Sequence, residues 1–72
     1  MEKTVVTETY LIARTIEKII FERFRIETVV QVEANLYSIS AIIDYVEPVP
    51  AYLSDEVEAY IHAWLARNPQ TN

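Results

Sequence analysis

The chain contains no glycine and no cysteine. Without glycine there is no Gly-rich loop to cradle a phosphate, whether of the P-loop or the dinucleotide type. Every turn and helix end must also be built from asparagine, proline or ordinary residues, because the residue that tolerates positive φ best is missing. Without cysteine, disulfides and thiolate metal sites are excluded. No uninterrupted apolar run approaches the roughly 18 residues of a membrane span. Met1, Glu2 and Lys3 are followed by no apolar leader segment, so no secretory signal is expected. These absences favour a soluble cytoplasmic protein with no bound cofactor and no membrane partner.

Basic residues are the next scarcity. None lies between Arg25 and Arg67, a stretch that holds Glu27, Glu33, Asp44, Glu47, Asp55, Glu56 and Glu58. Lys3, Arg14, Lys18, Arg23 and Arg25 all sit in the first third, and the net charge is −5. Such a surface repels phosphate backbones and attracts basic protein patches.

The 72 residues make one small domain, with 1–6 and 69–72 expected as frayed or edge segments. A chain of this length buries only about 60% of its unfolded surface. Small domains offset that with disulfides, metals or self-association, and a chain without cysteine has neither disulfides nor thiolate metal sites. Hydrophobic residues make up 51%, more than a two-layer fold this small can hide, so apolar surface is left for a partner or a second copy.

Periodicity predicts four elements. Ile12, Ile16, Ile19, Ile20 and Phe24, with Thr9 and Ala13 beside them, recur at helical spacing over 7–24. Thr4 or Thr7 is the expected cap. A hairpin follows: Ile26, Thr28, Val30 and Val32 alternate with Glu27, Val29, Gln31 and Glu33, and Tyr37, Ile39, Ala41, Ile43 and Tyr45 alternate with Ser38, Ser40, Ile42 and Asp44. A two-residue loop at Ala34 and Asn35 would set Val32 against Tyr37, Val30 against Ile39, Thr28 against Ala41 and Ile26 against Ile43. Ala34 resists the left-handed conformation such a turn asks for, which a longer loop would relieve. Residues 47–52 read as an extended connector around Pro48 and Pro50. A second helix is predicted over 55–67, capped by Ser54, with Asp55 and Glu56 in its first turn. Its core stripe is Val57, Tyr60, Ile61, Trp64 and Leu65, and Pro69 stops it. The fold class is therefore α+β: helix, β-hairpin, helix, with both helices on one face of the antiparallel hairpin. Two strands alone are marginal. Either residues 2–6 add a third strand, or two protomers join hairpins edge to edge, which the sequence slightly favours.

Catalytic signals are sparse. His62, the one histidine, stands a helical turn after Glu58, and a solvated helix pair explains both residues. Ser38 and Ser40 are strand hydroxyls without a base nearby in sequence. Asp55, Glu56 and Glu58, with Asp44 or Glu47, lack the loop pattern of a hard-metal site. Arg14, Lys18 and Arg25 cluster on the first helix with Tyr10 and Phe21, but Glu17 and Glu22 interrupt them. Direct nucleic-acid binding is therefore not expected.

Two surfaces remain. Tyr10, Ala13, Glu17, Phe21 and Phe24 form a second apolar stripe on the first helix. With Arg14 at its rim, the set Tyr10, Arg14, Glu17 and Phe21 marks a self-association or docking surface. The outer sheet face would show Glu27, Gln31, Glu33, Ser38, Ser40 and Asp44 around Val29 and Ile42. The expectation is a non-catalytic, acidic protein-binding module and homodimer. By class analogy it would occupy a basic, nucleic-acid-handling site on a partner, as inhibitors, antitoxins and viral or prophage anti-defence proteins do. The alternative is a homo-oligomeric structural domain whose acids serve solubility.

Overall fold

The computed structural model describes the backbone of residues 2–67 and the side chains of 9–67. The elements follow the order α1 (Glu2–Phe24), β1 (Thr28–Ala34), β2 (Ile39–Tyr45) and α2 (Ala51–Arg67). This is the expected helix–hairpin–helix arrangement. Residues 69–72, expected as a tail, lie outside the described residues.

α1 begins well before residue 7, so neither Thr4 nor Thr7 is its cap, and the third-strand option for 2–6 is overturned. Nothing in that segment could reverse the chain: no glycine, proline or asparagine separates Val6 from the helix that follows. At its other end the N–H of Arg25 donates to the carbonyl of Phe21 at 2.8 Å. Arg25 itself has φ 61°. In a chain without glycine, an arginine takes the left-handed position that closes a helix, at a cost of roughly 1–2 kcal/mol.

The strands pair antiparallel, with Thr28 opposite Tyr45, Val30 opposite Ile43, Val32 opposite Ala41 and Ala34 opposite Ile39. This corrects the sequence-based register, which set Thr28, Val30 and Val32 against Ala41, Ile39 and Tyr37. Ile26 precedes β1 and pairs with nothing in the ladder. The partner shift is even, so the side chains that stay in the ladder keep their predicted faces, whereas Tyr37, expected on the inner face, falls outside the ladder. The cause of the shift is the loop. Asn35 Oδ1 accepts the backbone N–H of Tyr37 at 2.8 Å and of Ser38 at 2.9 Å. The Asn35 N–H donates to the Ser38 carbonyl at 2.9 Å. An asparagine side chain thus replaces a backbone turn, Ala34 stays in the strand, and Leu36 and Tyr37 project into solvent.

α2 starts directly after Pro50, whose carbonyl accepts from the N–H of Leu53 and of Ser54. Ser54 is therefore inside the helix and not its cap, and its hydroxyl donates to the carbonyl of Ala51 at 3.0 Å. The cause is Pro50, which carries no N–H to satisfy and has a fixed φ, so it sits well at a helix start. As a result Asp55 and Glu56 lie beyond the first turn, which holds no acid. Ala51 and Tyr52 belong to the helix, and the extended connector is shorter than predicted.

The core lies between the helices and the inner sheet face. Ala13, Ile16 and Ile20 of α1, Val30 of β1, and Val57, Ile61 and Leu65 of α2 are buried together. Ile12, Ile19, Phe24, Ile39, Ala41, Ile43, Tyr60 and Trp64 pack around them. Each larger aliphatic side chain hidden there contributes about 1.5–3 kcal/mol. No helix among the described residues is long and apolar enough to cross a membrane.

Candidate interaction surfaces

Of the seven acids in the lysine- and arginine-free stretch, all but Glu47 fall into two groups. Strand alternation places Glu33 and Asp44 on the outer face of the hairpin, opposite the helices. Glu27 extends that row just before β1, where its carbonyl accepts the N–H of Val46 at 3.2 Å. All three are exposed. Among them lie Val29, 49% exposed, and Ile42, 45% exposed, diagonal neighbours across the ladder. Asp55, Glu56 and Glu58 are exposed on α2, which packs on the inner face. The hairpin layer therefore separates the two groups. Glu47 lies between them in sequence and lines a groove with Phe21, Arg25, Ile26, Glu27, Pro48 and Val49. Arg25 offsets part of the negative charge there.

The α2 acids also act on a hydroxyl of the sheet, together with burial. Burial raises the Tyr45 hydroxyl above the ordinary tyrosine pKa, and the charges of Glu58 and Asp55 push it further. Each effect penalises a phenolate. The hydroxyl also points to the carbonyl of Ser54 at 3.5 Å. Opposite it in the ladder, Thr28 Oγ1 is buried with no hydrogen-bond partner among the described residues.

The second stripe of α1 is divided between several tasks. Ala13 is buried in the core, and Phe24 meets Tyr60 edge to face, with ring centroids 6.0 Å apart. Tyr10 and Phe21 remain exposed, each next to an arginine: Arg14 over Tyr10 at 4.9 Å and Arg25 over Phe21 at 5.7 Å. Arg14 and Glu17 form an ion pair, and both reach the outer edge of β1. Glu17 Oε2 accepts the N–H of Val30 at 2.8 Å, and Arg14 Nη2 donates to the carbonyl of Val30 at 3.1 Å. The pair thus binds both backbone groups that Val30 turns away from β2. Sequence reasoning missed this clamp. The available signal was Glu17 itself, a carboxylate in an otherwise apolar stripe.

For catalysis the structure assembles little. His62 and Glu58 are both exposed on α2, and no cluster of three or more potential metal ligands occurs among the described residues. Ser38 and Ser40 are exposed on the loop and the outer face. Of the candidate basic cluster, Arg14 is engaged by Glu17 and Val30, and Arg25 lies against Phe21. Compared with family models, curated proteins and solved structures, the chain matches none.

Proposed function

We propose that the chain is a non-catalytic protein-binding module whose acidic outer sheet face docks on a basic protein surface. The observation carrying this reading is the composition of that face. Glu27, Glu33 and Asp44 are all exposed around the half-exposed Val29 and Ile42, and the hairpin contributes no cation. A small apolar centre ringed by charges of one sign is a docking composition: the apolar part supplies affinity, while the charges steer the encounter and select the partner. The natural complement is a basic site of the kind that handles nucleic acid, occupied here by carboxylates in place of phosphates.

The test is binding to a panel of basic nucleic-acid-binding domains at low and high salt. The expected result is binding that weakens steeply as salt rises, is competed by nucleic acid, and is lost when Glu27, Glu33 and Asp44 are together changed to lysine. Binding that ignores salt, or that survives the triple substitution, would refute the proposal.

A further inference from the structure

The two outer edges of the hairpin differ in a way that selects a partner for one of them. In an antiparallel ladder, paired residues alternate between exchanging backbone bonds and turning those groups outward. Asn35 bonds Ser38 and Val46 bonds Glu27, and both pairs continue the ladder register. The intervening alternation makes Thr28, Val30 and Val32 outward-turned on β1, and Ala41, Ile43 and Tyr45 outward-turned on β2. On β1 the Val30 groups are taken by Glu17 and Arg14. Among the described residues neither Ala41 nor Ile43 of β2 has a backbone hydrogen bond on that side, and the sheet they form has two strands.

We propose that the β2 edge is completed by a second copy of this chain, β2 against β2, antiparallel about a two-fold axis at Ile42. The result is a four-stranded sheet ordered β1-β2-β2-β1. In this register Ala41 of one copy exchanges both backbone bonds with Ile43 of the other, and Ile39 does so with Tyr45. Ile42 faces Ile42 at a close, non-hydrogen-bonded position. Three features of the molecule support this register. On the outer face, Val29 and Ile42 of each copy join into one apolar row, covering side chains now half exposed. On the inner face a small residue, Ala41, meets a large one, Ile43. Each Asp44 falls opposite Ser40, whereas a slip of four in the partner number would set Asp44 against Asp44. β1 cannot serve the same purpose, because Arg14 and Glu17 occupy its edge, a recognised way of preventing strand addition.

This pairing does not rest on the acidic docking reading, although both draw on Val29 and Ile42, and salt separates the two. Each copy carries a charge of −5, so screening strengthens self-association while it weakens binding to a basic partner.

The chain has no cysteine, so a single introduced thiol reports the register without background. Ile42→Cys places two sulfurs across the axis at a spacing a disulfide accepts. Under mild oxidation it should cross-link many-fold faster than Ser40→Cys, whose partner is Asp44. The native chain should show a mass twice the 8.4 kDa of one copy by light scattering, with more dimer at high salt. Ile42→Lys should reduce it to the single-chain mass with its circular dichroism unchanged, since residue 42 lies outside the core. Ala41→Pro removes only an outward N–H and should do the same. A single-chain mass for the native protein from micromolar to millimolar, a dimer that survives both substitutions, or Ile42→Cys cross-linking no faster than Ser40→Cys would overturn the proposal.

Discussion

Along β1, the outward N–H and C=O of Val30 end on Glu17 and Arg14. Along β2, the same groups of Ile43, directly across the ladder, meet no backbone partner on that side among the described residues. The difference traces to what each covering helix can offer. α1 carries an arginine and a glutamate one turn apart beside its buried Ala13 and Ile16, long enough to reach past the strand. α2 covers β2 with Val57, Ile61 and Leu65, and no lysine or arginine is available before Arg67. A scarcity first read as surface charge thus also leaves one sheet edge without a cationic clamp.

The largest way to break this asymmetry is Glu17→Ala. It strands the N–H of a residue that is 1% exposed and removes a charge-assisted bond. The expected loss is about 2 kcal/mol by urea denaturation, with increased self-association as the β1 edge opens. Arg14→Ala should cost less, about 1 kcal/mol, because the arginine is 42% exposed and the surface ion pair itself contributes little. Equal losses for the two would mean the pair acts through charge and not through the backbone of Val30.

The last step of the ladder offers a second contrast, with β1 now the less satisfied partner. Thr28→Val removes a buried hydroxyl that has no partner among the described residues and should raise stability by roughly 1 kcal/mol, read as a higher denaturation midpoint. Facing it, Tyr45 has a raised folded-state pKa. The sign follows from linkage: the stability this hydroxyl contributes is fully present below the unfolded tyrosine value near about 10 and is lost as pH rises through the higher folded value. Native protein should therefore lose stability above about pH 10 more steeply than Tyr45→Phe. Parallel curves would show that Tyr45 ionises alike in both states.

Much of the architecture was legible in the sequence, for reasons the elements make clear. Alternation assigned the residues of both strands to their correct faces, because the even register shift leaves parity intact, but it also put Tyr37 on the inner face, and that residue lies in the loop. The stripe Val57, Ile61 and Leu65 identified the buried face of α2 at helical period. The register itself was not legible: it depends on whether Asn35 closes a tight turn or, as here, caps a longer loop with its side chain, and alternation is blind to that choice. The start of α2 was misplaced because Ser54 has the chemistry of a cap, while Pro50, already at the boundary, needs none. The clamp on Val30 was hidden for a different reason. A charged pair three residues apart on a helix looks like a solvent-facing pair, and only the position of β1 beside it reveals two backbone groups as its targets.

The most direct test is amide hydrogen exchange at Val30 and Ile43, measured by NMR in Ile42→Lys, where self-pairing is removed. Two facing residues in the same ladder should then differ: Val30 protected through Glu17, Ile43 exchanging at nearly the rate of an exposed amide. Equal protection at the two sites, or faster exchange at Val30, would contradict the claim that one edge of this hairpin is closed and the other open.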